Sequence, residues 1–193
     1  MKFSAVFFDL DGTLIDSKLD FDAMRRDLNF PKGVPILEEI EKLTDKAEIE
    51  KSMEIVHQHE LIGAQNSKLI EGVSEVLAYL HENDIPTGIL TRNSRICTDL
   101  MLSKHKLDFD QVLTREDCAP KPSPEGLLKL AKHFQVEPRD CLYVGDFHFD
   151  IITAHNANMQ SALIQSPKTK TFENEATYLF KTYQNFIASI LLS

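Results

Sequence analysis

The chain has 193 residues, 42% of them hydrophobic and 26% charged, with a formal net charge of −9. This length suits one good core with a small inserted subdomain, and the composition is that of a folded globular protein, not a disordered one. The acidic balance argues against nucleic acid or an anionic membrane as the main partner, so an anionic small ligand has to be held by local charge and metal.

No apolar stretch approaches the ~20 residues that span a bilayer. Met1-Lys2-Phe3-Ser4 leads directly into an apolar strand, so no signal peptide is expected. Cys97, Cys118 and Cys141 are odd in number and have no C-x-x-C spacing, as expected of reduced thiols in a cytoplasmic protein.

The first element, a strand near residues 4–9, ends in Asp9-Leu10-Asp11, and Gly12-Thr13 supply a turn. Side chains at i and i+2 of an extended segment share a face, so Asp9 and Asp11 converge unless the bend at Gly12 re-aims the second. Two carboxylates about 4 Å apart repel by roughly 4 kcal/mol at an effective dielectric near 20. The pair therefore needs a counter-charge, for which Mg²⁺ is the natural choice.

Residues 18–69 read as helical. Phe21, Met24 and Leu28 form one apolar face, with Arg25 beside it and Arg26 and Asp27 turned away. After the breakers Pro31, Gly33 and Pro35, one stripe runs through Ile36, Leu37, Ile40 and Leu43. A looser one follows a junction at Thr44-Asp45-Lys46 and uses Ile49, Met53, Val56 and Leu61. His57 and His59, at i and i+2, face different ways, so a solvated helix face is expected there in place of a metal site.

An α/β alternation then resumes. A helix over Gly72–Leu80 closes at Asn83-Asp84, and a strand over 86–91 ends in Thr91 before the polar turn Arg92-Asn93-Ser94. Thr91 and this turn suit either a helix cap or a phosphate, to which they offer Oγ and N–H groups. A strand at 109–113 precedes Ala119-Pro120-Lys121-Pro122-Ser123-Pro124-Glu125, where three prolines predict a stiff, extended loop around Lys121, ahead of a helix reaching Phe134.

The strand 141–145 ends at Asp146, with Asp150 about one helical turn beyond and aimed at the same small volume, although an acidic helix start is favoured by the macrodipole anyway. His148, between them, is either a substrate contact or a supporting or exposed residue. A strand at 161–165, a loop at 166–175, an edge strand Tyr178–Phe180 and a helix bearing Phe186, Ile187, Ile190 and Leu191 complete the chain. The expected fold class is α/β, a Rossmann-like, mostly parallel sheet with helices on both faces and a small inserted α-helical cap. In such sheets ligands bind beyond the carboxyl ends of the strands, where Asp9, Thr91 and Asp146 lie.

The string F-F-D-L-D-G-T-L-I-D-S, the strand-terminal Thr91, P-K-P-S-P around Lys121 and G-D-x-x-x-D at Asp146 and Asp150 occur in the order of the four signatures of the haloacid dehalogenase superfamily. Over nearly its whole length the chain resembles the small phosphoglycolate-phosphatase-like members of that family. The resemblance implies a phosphatase acting through an aspartyl phosphate, with Asp9 as nucleophile and Asp11 as general acid/base. It further implies phosphate binding by Thr91, Arg92, Asn93 and Lys121, and Mg²⁺ held by Asp9, Asp146 and the Asp11 carbonyl with support from Asp150. The core would comprise 1–17 and 70–193 and the cap 18–69.

Where the family often has Ala-Gly after this last helix, the chain has Ala157-Asn158, and Asn keeps the left-handed cap available. Arg25 is the candidate for gripping a second anionic group on the substrate. The expected partner is a small phosphorylated metabolite, with no nucleic acid or membrane, and the expected state a monomer or homodimer. A phosphosugar mutase and a catalytically idle phosphate-binding module are the alternatives.

Overall fold

The structure is a computed structural model and describes residues 3–192. The strand β1, Ala5–Phe8, is buried at every position. Such a run, with no polar alternation, fits a parallel strand covered on both faces. It lies at the centre of a six-stranded sheet with β4 (Thr87–Leu90), β5 (Gln111–Leu113), β6 (Cys141–Gly145), β7 (Gln160–Ile164) and β8 (Tyr178–Phe180), ordered β5-β4-β1-β6-β7-β8. All of these neighbours pair in parallel, including the edge strand.

The helices between them are α4 (Val73–Glu82), α5 (Arg95–His105), α6 (Glu125–His133) and α7 (His148–Asn156). At the C-terminal end α8 (Tyr183–Phe186) runs on into a π-helical turn over Ile187–Leu191. One face of β1, Ala5 and Phe7, packs with Leu127, Leu130 and Ala131 of α6 and Ala154 of α7. Val6 and Phe8 point the opposite way and are equally buried, so the sheet is covered on both sides. The strands agree with the sequence expectation to within about two residues. Asn158 does adopt the left-handed conformation, with φ 56°.

The chain divides into two compact units, one of Met1–Asp16 with Lys68–Ser193, the other Ser17–Ser67. The expected cap range, 18–69, differs from this unit by one residue at its start and two at its end. The short strand β2, Ile15–Asp16, pairs antiparallel with β3, Lys68–Leu69, and these backbone bonds hold residues 68 and 69 in the sheet-bearing unit.

The helical unit contains α1 (Phe21–Asp27), α2 (Ile36–Glu41) and α3 (Lys46–Asn66). Its core is Met24, Leu28, Ile36, Ile40 and Val56. Asp20 caps α1 by accepting from the Ala23 N–H, and Asp45 caps α3 by accepting from the N–H groups of Ala47 and Glu48. Phe21 departs from expectation: placed in the first turn of a seven-residue helix, it lies outside that core and is 52% exposed. Of the second stripe only Val56 is fully buried. His59 pairs with Asp27 at 2.8 Å, and both His57 and His59 are half-buried where a solvated face was expected.

Candidate active site

The parallel register carries the functional side chains to one edge. Beyond Phe8, paired with Val144 and Ile89, the Asp9 N–H still donates to the Val144 carbonyl at 2.8 Å, so Asp9 emerges beside Gly145-Asp146. The chain then turns back tightly, with Leu14 N–H on Leu10 O at 2.9 Å and Gly12 N–H on Ile15 O at 2.8 Å. Gly12 has φ +78°, and a Cβ there would stand 2.3 Å from an Asp146 carboxylate oxygen, so only glycine lets the turn approach that side chain.

Lys121 is buried at the centre of the cluster. Its Nζ donates to Asp9 Oδ1 and Asp150 Oδ1, each at 2.7 Å, and to the Tyr143 hydroxyl at 3.2 Å. Burial alone would lower the ammonium's pKa, but the charges of Asp150 and Asp9 outweigh it and hold the group well above its ordinary value. The loop carrying Lys121 is not extended as the prolines predicted. It is a tight turn with a cis Lys121–Pro122 bond, closed by Ser123 N–H on Pro120 O at 2.9 Å, and Asn156 holds it through the Pro122 carbonyl at 3.0 Å.

Asp150 is fully engaged by the protein. Besides Lys121 it accepts from the N–H groups of Asp146 and Phe147, at 3.2 and 3.0 Å, and so caps the start of α7 from its third position. Gly145 makes room for it, since a Cβ there would meet Asp150 Cβ at 2.3 Å. Asn93 Nδ2 donates to Asp11 Oδ2 at 2.6 Å, and Asn93 N–H donates to Thr91 Oγ1 at 3.2 Å. Ser94, not Thr91, caps α5, accepting from the Cys97 N–H. The Arg92 guanidinium lies over the Phe149 ring, 5.7 Å from its centroid.

Two supporting residues escaped the sequence analysis. The Tyr143 hydroxyl donates to the Leu90 carbonyl at 3.0 Å while accepting from Lys121, and so ties β6 to β4 at the level of the site. The Tyr183 hydroxyl donates to Thr13 O at 2.8 Å and fixes the turn after β1 from the far end of the chain. Both tyrosines are apolar-looking residues in buried segments, and only the fold reveals where their oxygens go.

Asp9, Asp146 and Asp150 offer carboxylate oxygens within 4.8 Å of one another. Burial, with the neighbouring Asp150, pushes Asp9 up to about 7 against the pull of Lys121, and burial with Asp9 and Asp150 pushes Asp146 up to about 8. These three carboxylates share one ammonium, that of Lys121, which is bonded to Asp9 and Asp150. Oxygen donors with this charge deficit fit a hard divalent cation. As Asp150 is occupied by Lys121 and two N–H groups, Asp9 and Asp146 are the side chains left for that role.

Arg25, in the helical unit, donates Nε to the Val34 carbonyl at 2.8 Å and Nη1 to Asp22 at 2.9 Å. Its guanidinium thus braces the link from α1 to α2. Among the described residues no helix is long and apolar enough to cross a membrane.

Residues 6–164 match the haloacid dehalogenase-like hydrolase family. The chain is 29% identical over 156 residues to a haloacid dehalogenase-like hydrolase domain-containing protein of Arabidopsis thaliana, covering 75% of this chain but only 63% of that one. It is 31% identical over 186 residues to the pyrophosphatase PpaX of Bacillus cereus, covering 85% of this chain and 84% of the relative. A solved haloacid dehalogenase-superfamily hydrolase, subfamily IA, variant 1, from Geobacter sulfurreducens superposes with a TM-score of 0.72 at 25% identity, over 96% of this chain and 98% of that one. A match across most of the chain, with the signature residues converging at one edge of a parallel sheet, makes this protein a member of the haloacid dehalogenase-like hydrolase family.

Proposed function

We propose that the protein hydrolyses small phosphomonoesters with Mg²⁺, carrying the phosphoryl group on Asp9. The observation that carries this reading is the grip of Lys121 on only one oxygen of Asp9, which steadies the carboxylate and leaves the other oxygen to act as nucleophile. In the first step that oxygen bonds to phosphorus as the ester P–O bond breaks, and Asp11, oriented by Asn93, gives its proton to the departing oxygen. In the second, Asp11 takes a proton from water, whose oxygen bonds to phosphorus and releases Asp9. Thr91 and the turn at Arg92-Asn93 hold the phosphoryl oxygens throughout, and Lys121, whose three N–H groups are taken by Asp9, Asp150 and Tyr143, adds its positive charge beside them. A cation bound by Asp9, Asp146 and the Asp11 carbonyl would supply charge neutralisation and polarise the phosphoryl group.

In this reading the helical unit Ser17–Ser67 is the lid, the substrate is a small cytoplasmic phosphorylated metabolite, and the enzyme works as a monomer or homodimer. The match to a pyrophosphatase over 84% of that relative's length supports a second reading, with inorganic pyrophosphate as the substrate and phosphate as the leaving group. An idle binding module is less well supported, because Asp9, Asp11, Lys121 and Asp146 are all present, and a phosphosugar mutase, which shares all four signatures, would be expected to carry a larger helical unit than Ser17–Ser67. The test is release of phosphate from p-nitrophenyl phosphate and from pyrophosphate, with Mg²⁺ and with chelator. Hydrolysis that needs the metal supports the proposal, and metal-independent turnover or none overturns it.

A further inference from the structure

Between Asp146 and Asp150 the chain places Phe147, His148 and Phe149. Phe147 is 51% exposed although its neighbour in the chain is Asp146. Its backbone requirement in the turn is met by Asp150, which accepts its N–H at 3.0 Å, so the aromatic side chain is not needed to form the loop.

The ring is nevertheless braced. Phe149 and Phe172 meet it in edge-to-face contacts, with centroids 5.7 and 5.8 Å away and planes inclined by 80° and 75°. His148 lies against Phe172 at 5.3 Å and pairs with Glu175 at 2.9 Å, while Arg92 covers Phe149. Arg92 follows β4, Phe147 and Phe149 follow β6, and Phe172 follows β7, so the parallel sheet gathers them at the same edge as Asp9. All belong to the sheet-bearing unit.

An exposed aromatic ring one residue from a catalytic-loop carboxylate, oriented by two others, has an apolar surface ready for stacking. We infer that Phe147 is a specificity-determining residue that stacks on a planar aromatic ring carried by the leaving alcohol or phenol, so that the favoured substrates are phosphomonoesters of phenols or nucleosides. This rests on the hydrolysis proposed above and narrows its substrate class. A leaving group stacked on Phe147 is held next to Asp146, and the Arg92 cation lies at the rim of the same aromatic cluster.

The test compares kcat and KM for phenyl phosphate, a nucleoside 5′-monophosphate and glycerol 3-phosphate in the wild type and in Phe147→Leu, Phe147→Ala and Phe147→Trp. The leucine variant keeps an apolar side chain should the alanine variant fold poorly. The leucine and alanine variants are expected to lower the ratio of kcat/KM for aromatic over glycerol ester by about two- to tenfold, mainly through KM, and tryptophan to restore it. A ratio that stays constant across the variants while every ester is still hydrolysed overturns the role of Phe147 and leaves the proposed hydrolysis standing. Failure of the wild type to hydrolyse any ester with Mg²⁺ overturns both.

Discussion

Lys121 Nζ stands 2.7 Å from Asp150 Oδ1, and this contact makes Asp150 the anchor of the lysine that steadies Asp9. Asp150→Ala leaves Lys121 paired with Asp9 but takes away the second of its two carboxylates, and should destabilise the fold by about 1–3 kcal/mol through buried donors left without an acceptor. It also deprives the N–H groups of Asp146 and Phe147 of their acceptor. Asp150→Asn, whose amide oxygen still accepts, should cost less. Urea titrations of both variants check the order, and equal stabilities would contradict it.

Tyr143→Phe removes a hydroxyl that Leu90 O and Lys121 both use. Stranding these buried partners should cost about 1–3 kcal/mol. Turnover should fall less than in Asp11→Asn, which removes the proposed acid/base group, a role worth roughly 10²–10⁴. Thermal denaturation and steady-state rates on one aryl phosphate measure both effects.

The raised carboxylates set a pH dependence. In the folded, metal-free protein Asp9 and Asp146 hold protons up to about 7 and about 8, against 3.8 for both in the unfolded chain. The folded state thus binds more protons between those values, and stability is lost as pH rises from about 4 to 8. With chelator present, Tm should be lower at pH 8 than at pH 5.5, and Asp146→Asn should flatten the profile. Mg²⁺ added at pH 8 should raise the wild-type Tm by preferential binding to the folded state, and should raise that of Asp146→Asn much less. A Tm that rises with pH under chelator would contradict this account.

Gly12→Ala should be damaging on two grounds: the positive φ and a methyl 2.3 Å from an Asp146 oxygen. We expect a stability loss of about 1–3 kcal/mol, the usual cost of such strain. The Mg²⁺ dependence of Tm should also weaken, because Asp146 must move. Gly33→Ala has the same sign of φ but an open surrounding, and serves as the control for backbone strain alone.

Much of this arrangement was legible because carboxylates at the ends of apolar runs are informative in a parallel sheet. Asp9 and Asp146 could be placed without knowing the strand order. Tyr143 and Tyr183 could not: a tyrosine in a buried strand or helix looks like core, and the Tyr183 hydroxyl reaches a carbonyl 170 positions earlier. Lys121 was found for its place among prolines, yet the same prolines suggested an extended loop where a tight turn forms. Periodicity put Phe21 with Met24 and Leu28 but carries no information on where a neighbouring helix stops covering the face. Arg25 was equally open between a ligand and a nearby acid, and Asp22 is 2.9 Å away.

The central claim is that Asp9 carries the phosphoryl group. Its most direct test is mass spectrometry of acid-quenched Asp11→Asn after mixing with Mg²⁺ and p-nitrophenyl phosphate, a substrate whose leaving group needs little protonation. A phosphoryl group should be found on the peptide bearing Asp9, and Asp9→Asn should carry none and should not turn over. An unmodified Asp9 peptide together with near-wild-type turnover in Asp9→Asn would contradict the account.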